Sequence, residues 1–90
     1  MEENQILLTI EYYGHFKLKT QRDYDKLKVN ADFLIGIDQI KRHLKSQYAI
    51  EGGFMTFVNN DSLTRLRKER LKTTLSENDV IKIIPTASGG

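Results

Sequence analysis

The segment from Val80 to Pro85 constrains the fold of this chain most strongly. Four of the five residues from Val80 to Ile84 are β-branched, which is typical of a strand. Pro85 lacks an N–H group and cannot donate to a sheet ladder, so regular pairing is predicted to stop there. The segment 86–90 contains only small, uncharged residues and ends in two glycines. The sequence therefore predicts a rigid strand followed by a flexible tail, residues 86–90, with a glycine carboxylate at its end.

The tail suits the presentation of a carboxyl terminus to another protein. Fully extended, it spans about 15 Å at ~3.3 Å per residue. Gly89 and Gly90 have no Cβ, so their backbone can enter a narrow slot and adopt φ values that other residues avoid. Small residues are also common at frayed chain ends, and the glycine pair gains weight from the strand and the proline before it. We therefore expect a folded domain over residues 1–85 and the flexible tail over residues 86–90.

Length and composition limit the function classes. Ninety residues correspond to one domain with one modest core. The chain has no cysteine, which excludes disulfides, thiolate metal sites and a cysteine nucleophile. A formal net charge of +2 is too small to require a nucleic acid partner. Residues 1–4 lack an apolar export core and no apolar run approaches ~18 residues, so we expect a cytoplasmic location and no membrane partner.

The first third of the chain indicates two strands. Residues 5–13 carry apolar side chains on both faces and predict a central strand that ends at a glycine. Residues 24–29 predict a second strand, and a hairpin-like return pairs it with the first. Residues 14–23 are interpreted as a loop or a single helical turn, with Phe16 and Leu18 packed against the core.

The middle of the chain predicts one amphipathic helix. Apolar residues recur there at helical spacing, at Ile37, Ile40, Leu44 and Tyr48. Gly36 is the predicted N-cap, and residues 33–35 are expected to lead into the helix and pack under it.

The segment 62–75 allows two interpretations. Three of its leucines, Leu63, Leu66 and Leu71, could lie on a short helix. Alternatively, residues 65–71 could form a short edge strand whose charges discourage pairing with other chains. We favour an irregular segment with a short strand, placed after a third strand over residues 54–58 and a turn.

The order of these elements predicts an α+β fold of two layers, with one helix on one face of a mixed sheet of four to five strands. The first and last strands are the most apolar, so we expect them to pair in parallel at the centre. Alternation along the last strand places Ile81 and Ile83 on one face and Lys82 and Ile84 on the other. Lys82, Ile84 and Pro85 therefore form a candidate contact surface beside the tail.

Other chemistry is weakly indicated. His15 and His43 lie in different elements without a third ligand at metal-binding spacing, so no metal site is predicted. The basic run 65–70 could contact nucleic acid phosphates, dock on an acidic enzyme surface or form a solvated edge. The solvated edge is the preferred interpretation because Glu69 interrupts the run. No constellation of nucleophile, base and orienting group appears, so we expect neither an enzyme nor a bound cofactor.

The carboxy-terminal sequence NDVIKIIPTASGG resembles that of the MoaD/ThiS sulfur carriers, ubiquitin-like proteins that include the small subunit of molybdopterin synthase and the thiamine-pathway sulfur carrier. Members typically carry an apolar residue, a Gly-Asp turn, a short apolar strand, a proline and a terminal Gly-Gly. The matching residues are Leu75, Asn78-Asp79, Val80 to Ile84, Pro85 and Gly89-Gly90. Asn78 departs from the turn glycine, and Thr86 stands where a second proline is common. The resemblance, which looks closest to the molybdopterin branch, implies a ubiquitin-like β-grasp fold.

The resemblance also implies a mechanism. A ubiquitin-activating-type adenylyltransferase would use ATP to adenylate the Gly90 carboxylate. A sulfur donor protein would then displace AMP, leaving a thiocarboxylate for molybdopterin (molybdenum cofactor) biosynthesis, with the large subunit of molybdopterin synthase as a further expected partner. The residues expected to contact partners are Gly89, Ser88, Ala87, Thr86, Pro85, Ile84 and Lys82.

Three other functions stay open. The chain could be a thiamine-type sulfur carrier, or a protein modifier that is joined through Gly90 to lysines of other proteins. It could also be a binding module in which the tail is idle and the basic run contacts RNA or a protein.

Overall fold

Eight elements follow one another in a computed structural model of the chain, which describes residues 4–86. The strands are β1 (Gln5–Tyr12), β2 (Tyr24–Asn30), β3 (Phe54–Val58), β4 (Asp61–Ser62) and β5 (Val80–Pro85). The helices are α1 (His15–Thr20), α2 (Phe33–Tyr48) and α3 (Leu63–Lys68). None of these three helices is long and apolar enough to cross a membrane.

The strands of residues 4–86 form one mixed sheet in the order β2-β1-β5-β3-β4. β1 and β5 lie at its centre and run parallel, with Ile10 opposite Ile81 and Tyr12 opposite Ile83. β2 pairs antiparallel with β1, and β3 pairs antiparallel with β5. The predicted α+β class, the hairpin of the first two strands and the parallel central pair are therefore confirmed. The intervening chain, including α2, makes the crossover that parallel pairing requires.

The hydrophobic core lies between one face of the sheet and the helices. Alternating side chains of the central strands point into it and are at most 1% exposed, namely Leu8, Ile10, Tyr12, Ile81 and Ile83. α2 covers them with Phe33, Ile37, Ile40 and Leu44. The other face of the sheet, which we call the outer face, carries no fully buried side chain among the described residues. Lys82 and Ile84 lie on this outer face, as predicted.

α2 begins earlier than predicted because Asp32 caps it. The Asp32 carboxylate accepts a hydrogen bond from the Ile35 N–H at 3.0 Å, which satisfies one of the free N–H groups of the first turn. The prediction of Gly36 as the N-cap is therefore wrong. The prediction that residues 33–35 pack under the helix holds only for Phe33, since Leu34 and Ile35 are 60% and 51% exposed. At 3.6 residues per turn they lie off the buried stripe.

Gly36 lies inside α2, where the helix packs against the end of β2. A Cβ atom at this position would lie 2.5 Å from the backbone oxygen of Asn30 and 2.5 Å from Cδ1 of Leu75. The Leu75 side chain can rotate, but the Asn30 carbonyl belongs to the sheet, so α2 would have to move away. The absence of a side chain at Gly36 thus sets the distance between the helix and the sheet.

Gly36→Ala is expected to lower the free energy of unfolding by up to about 2 kcal/mol, although alanine is the better helix former. Overpacking costs about 1–3 kcal/mol, and the gain in helix propensity returns only about 1 kcal/mol. Urea unfolding measures the difference. Gly52→Ala is the matched control, because a Cβ there would meet no atom within 4 Å. A stabilised Gly36→Ala protein would show that α2 moves away from the sheet at little cost.

Residues 14–23 were expected to form a loop or a single helical turn, and the structure shows that they contain the helix α1. Phe16 packs in the core with 4% exposure, as predicted, but the prediction that Leu18 also does so is wrong, because Leu18 is 80% exposed. Residues two positions apart in a helix are separated by about 200° of rotation. Phe16 and Leu18 would share a face only in a strand.

Residues 62–75 contain α3, so the favoured interpretation, an irregular segment with a short strand, is wrong for residues 63–68. Ser62 caps this helix, its Oγ accepting a hydrogen bond from a backbone N–H of the first turn at 3.1 Å. Leu63 and Leu66 are buried against the core, as the helical alternative requires, whereas Leu71 lies beyond the helix and is 51% exposed. The cap explains the outcome, since it starts a helix directly after β4.

A polar cluster inside the fold joins β1, β2 and α2. Asp25 is 8% exposed, and its Oδ2 accepts hydrogen bonds from the hydroxyl groups of Tyr12 at 2.7 Å and Tyr48 at 2.6 Å. Its Oδ1 accepts one from Arg22 at 3.0 Å. Burial opposes ionisation of Asp25, but the hydrogen bonds from Tyr48 and Tyr12 together with the nearby Arg22 guanidinium outweigh it and lower the pKa of the carboxyl. An ionised carboxylate therefore holds two strands and the helix together.

Candidate carboxy-terminal site

The start of β5 is held by Asp79, the acidic residue of the turn motif. Asp79 is 7% exposed and accepts hydrogen bonds from the Asn59 amide at 3.0 Å and the Ser76 N–H at 2.9 Å. Lys72 forms an ion pair with it at 3.1 Å. Asn59 in turn accepts a hydrogen bond from the Val80 N–H at 2.9 Å. The Asn-Asp turn thus fixes the position at which β5 enters the sheet.

Acid is expected to destabilise the protein through Asp79 and Asp25. Burial opposes ionisation of Asp79, but the hydrogen bonds from Asn59 and Ser76 and the nearby Lys72 lower its pKa below the ordinary 3.8. Because the folded-state pKa lies below the unfolded value, each carboxylate contributes stability that is present above pH 3.8 and is lost as the pH falls through the folded-state pKa.

Thermal unfolding between about pH 6 and pH 2 measures this loss, and Asp79→Asn should flatten the dependence on pH. Asp38→Asn is the control, since the Asp38 side chain is 56% exposed. Parallel pH profiles for the wild type and Asp79→Asn would contradict the assignment.

The end of β5 is paired one residue further than predicted. Pro85 lies opposite Phe54, and the Thr86 N–H donates a hydrogen bond to the Gly53 carbonyl at 3.0 Å. The prediction that pairing stops at Pro85 is wrong because hydrogen-bonded and non-hydrogen-bonded pairs alternate in an antiparallel ladder. Gly53 and Thr86 form a hydrogen-bonded pair, so the next pair along the ladder, Phe54 and Pro85, is a non-hydrogen-bonded pair. β3 therefore needs no N–H donor from the proline.

Gly14 holds the end of β5 from the other side. Gly14 has a φ of 60°, and a Cβ there would lie 2.7 Å from Cγ of Pro85. The neighbouring Tyr13 N–H donates a hydrogen bond to the Ile83 carbonyl at 3.1 Å. Positive φ and close approach both require glycine here. Pro85 is therefore enclosed between the turn at Gly14 and the first residues of β3.

The outer face beside Pro85 is a half-exposed apolar surface with one charged pair of residues. Met55 lies opposite Ile84 on β3 and is 47% exposed. Glu11 of β1 lies opposite Lys82, and the Lys82 ammonium donates a hydrogen bond to Asn60 at 3.2 Å. The structure thus places Lys82 and Ile84 together on the outer face, whereas Pro85, the next residue of β5, lies by alternation on the opposite face with Ile81 and Ile83.

Two further residues of this surface, Met55 and Phe57, were missed by the sequence analysis. Phe57 lies opposite Lys82 and Met55 opposite Ile84, so both occupy the outer face. The alternation within β3 already places them on one side of the strand, but the choice of face depends on the register with β5. The predicted contact surface therefore extends onto β3.

Ile84→Asp is expected to slow activation by a partner enzyme at least about tenfold while leaving the fold intact. The change places a charge in the apolar part of a contact surface, whereas Ile84 is only half-buried. Initial rates of adenylation and a thermal unfolding curve measure the two effects. Leu7→Asp is the matched control, since Leu7 is on the outer face opposite Lys28, at the end of β1 remote from the tail. Loss of the cooperative transition would place Ile84 in the core instead.

The remaining predicted site residues lie outside the described part of the chain. They are Ala87, Ser88, Gly89 and Gly90, so their predicted role and the division at residue 85 stay predictions. Thr86 is described, and its N–H is bonded to Gly53. Between residues 4 and 86, no group of three or more histidine, cysteine, aspartate or glutamate side chains could hold a metal ion.

The family model of the ThiS family matches residues 10–90, from the middle of β1 through the two carboxy-terminal glycines. The match covers the last three residues of β1, all of α2 and β5, and the tail. The chain belongs to the ThiS family. Members of this family are small ubiquitin-like sulfur carriers that act together with adenylyltransferases and partner subunits and are generally not enzymes themselves. The predicted resemblance is confirmed. No curated protein matches the sequence.

Solved structures show that this ThiS-family protein has a ubiquitin-like β-grasp fold. Small archaeal modifier protein 1 from Methanosarcina acetivorans superposes with a TM-score of 0.67 and 16% identity, over 96% of this chain and 98% of that one. A Pyrococcus furiosus protein described as subunit 1 of a molybdopterin converting factor gives 0.66 and 14%, over 91% and 99%. Urm1 from Trypanosoma brucei gives 0.51 and 14%, over 99% and 100%. At these identities the likeness concerns the fold.

Proposed function

We propose that this ThiS-family protein is a sulfur carrier for molybdopterin biosynthesis, and that its Gly90 carboxylate is converted to a thiocarboxylate. The observation that carries the proposal is the anchoring of β5. The central strand is fixed up to the Thr86 N–H, and the Gly-Gly sequence follows after two further residues, Ala87 and Ser88. The four residues that follow Thr86, residues 87–90, span at most about 13 Å at ~3.3 Å per residue. A glycine carboxylate on such a lead can enter the active site of a partner enzyme.

The chemistry consists of two substitutions at the Gly90 terminus. The carboxylate attacks the α-phosphorus of ATP in the partner adenylyltransferase, and pyrophosphate leaves. A hydrosulfide equivalent from a sulfur donor protein then attacks the carbonyl carbon, the carbon–oxygen bond to AMP breaks, and a thiocarboxylate and a proton are released. ATP is bound by the partner, and this chain supplies the terminus and the contact surface. Pro85, Ile84 and Lys82 contact the partner, and residues 86–89 fill the slot that leads to its active site.

The assignment to molybdopterin biosynthesis is supported by two observations. The tail with Pro85 and Ser88 is similar to that of the molybdopterin branch, and the Pyrococcus furiosus neighbour is described as part of a molybdopterin converting factor. The proposed acceptor complex is therefore the large subunit of molybdopterin synthase, which receives the thiocarboxylate.

The experiment that tests the proposal is an intact-mass measurement. The protein is incubated with ATP, a candidate adenylyltransferase and a sulfide source. A mass gain equal to exchanging one oxygen for sulfur, located at Gly90 by fragmentation, is the expected result. The loaded protein should then lose the sulfur when molybdopterin precursor and the large synthase subunit are added. Absence of any gain with several adenylyltransferases would reject the carrier function. Delivery of the sulfur only to a thiazole-forming enzyme would instead assign the protein to the thiamine pathway.

A second candidate function is that of a protein modifier. It is favoured by the Methanosarcina acetivorans neighbour, which is named a small archaeal modifier protein. Activation of Gly90 is shared by both functions, but a modifier would form amide bonds to lysines of other proteins. Denaturing electrophoresis of cell extract, probed for this chain, should then show a ladder of covalent adducts that disappears when Gly90 is removed.

A further inference from the structure

A basic groove lies between α2 and α3, beside the edge of β3 that is not paired with β5. Its volume is about 890 Å³. α2 contributes Lys41 and Lys45 to one wall, and α3 contributes Arg67 and Lys68 to the other. These four cations, which we call the groove cations, form no ion pair with any of the described residues, whereas the nearby Arg42 is paired with Asp38 at 2.9 Å. Four unpaired cations that face one concave surface attract an anionic ligand.

Part of the lining of the basic groove is apolar. Ile50 and Leu63, which are 3% and 8% exposed, form this part, which we call the apolar floor, and Met55, which is 47% exposed, also lines the groove. One acidic residue, Glu51, also lines it. The ring of Phe54 is half-buried and contacts Phe16 in a T-shaped arrangement, with ring centroids 6.1 Å apart.

These features favour a protein segment over a nucleic acid. A nucleic acid backbone would pair with the groove cations but would leave the apolar floor without a partner, and Phe54 is the one aromatic residue among the described residues that line the groove, so successive bases would have no row of rings to stack on. A segment with both acidic and apolar side chains would fill the floor and pair with the cations. The chemistry of the groove therefore points to an acidic, partly apolar stretch of polypeptide.

The position of the basic groove indicates what its occupant does. Gly52 and Phe54 line the groove, and the carbonyl of Gly53 between them accepts the hydrogen bond from the Thr86 N–H. Met55 belongs both to the lining of the groove and to the outer face beside Ile84. A protein seated in the groove is thus adjacent to the root of the tail.

We infer that the basic groove binds an acidic segment of a partner protein that acts on the tail. The groove gives this partner a second attachment, on the side of β3 that faces away from β5. The preference for an acidic segment follows from the groove itself, whereas the partner's action on the tail rests on the proposed function. The two parts are therefore tested separately.

The first test is a titration of the ¹⁵N-labelled full chain with a short peptide that alternates Glu and Val, followed by NMR. The amide shifts are expected to cluster at residues 41–45, 50–56 and 63–68, and to weaken as salt is raised. Lys41→Glu with Arg67→Glu should reduce the affinity about tenfold or more. Lys26→Glu with Lys28→Glu is the matched control, since it makes the same change in charge on β2, at the other edge of the sheet.

Three outcomes of this titration would overturn the inference. Shifts confined to other surfaces would show that the groove is not the site. Equal weakening by the two double variants would show attraction by net charge alone. Tighter binding of a polyuridine oligonucleotide than of the peptide in the same groove would assign the groove to nucleic acid.

The second test measures sulfur loading and delivery by the Lys41→Glu, Arg67→Glu variant with the partner enzymes. Slower loading or slower delivery than in the Lys26→Glu, Lys28→Glu control is expected. Unchanged rates of both steps would overturn the link between the groove and the tail. A wild-type chain that binds the peptide in the groove and is never loaded would instead reject the proposed function and leave the groove's preference intact.

Discussion

Removal of Gly89 and Gly90 is expected to abolish sulfur loading completely while the fold stays intact. The adenylated group is the proposed Gly90 carboxylate, and a carboxylate on Ser88 would be two residues closer to the sheet and would carry a side chain. The fold should not change, since the last fully buried residue between residues 4 and 86 is Ile83 and the anchors at Pro85 and Thr86 are retained. Intact mass after incubation with ATP, adenylyltransferase and sulfide measures loading, and thermal unfolding measures the fold.

A chain lengthened by one alanine after Gly90 is the matched control for the deletion. It keeps every native residue but moves the carboxylate off the glycine, so it should also fail to load and should unfold at the wild-type temperature. Normal loading of the truncated chain would refute the role of Gly90. A large fall in the unfolding temperature would show instead that residues 89–90 support the domain.

Asp25→Asn is expected to lower the free energy of unfolding by about 2–4 kcal/mol, since hydrogen bonds to a charged acceptor contribute about 1.5–3 kcal/mol each. In the wild type, one oxygen of Asp25 accepts from both Tyr12 and Tyr48 and the other from Arg22. The amide of asparagine offers one acceptor atom and one donor, so at least one of these bonds loses its acceptor in a buried setting. The unfolding temperature should fall by on the order of 10 °C.

Asp38→Asn makes the same chemical change on the surface and is the control for Asp25→Asn. Asp38 pairs with Arg42 at 2.9 Å on an exposed face of α2, where an ion pair contributes about 0–1 kcal/mol. Chemical denaturation of the two variants at neutral pH gives the comparison. Equal stabilities would mean that the Asp25 cluster adds nothing beyond an exposed pair. Tyr48→Phe should show a smaller loss than Asp25→Asn, because it removes one donor and keeps the carboxylate.

Sequence reasoning correctly predicted the elements whose hydrophobic pattern repeats over several turns of a helix or several residues of a strand. β1, β2, β3, β5 and α2 were all predicted, and so was the parallel pairing of the two most apolar strands. It was ambiguous for α1 and α3, each six residues long. Fewer than two helical turns contain too few positions for a 3.6-residue period to be separated from alternation. The helical cap at Ser62 was the available signal for α3, and Asp32 was that for α2.

The role of Gly36 could not be predicted from the sequence. A glycine before an apolar stripe has the appearance of a cap, and only the approach of Asn30 and Leu75 within 2.5 Å of a Cβ at that position shows that it permits packing. The same holds for Met55, Phe57 and Glu11, which join the predicted contact surface through strand register. Pairing between distant segments is a property of the assembled sheet, and it is not contained in any local pattern.

The sequence by itself determined the α+β class, the central strand pair, the stripe of α2 and the order of strand, proline and glycine pair that marks the ThiS family. These follow from local periodicity and from the chemistry of single residues such as Pro85. Only the tertiary structure decided that Gly14 and Gly53 hold the root of the tail, and that Asp25 joins three elements. It also decided that basic residues of two helices meet in one groove beside the tail. Such arrangements depend on contacts between residues far apart in the chain, whose positions are settled when helix and sheet pack together.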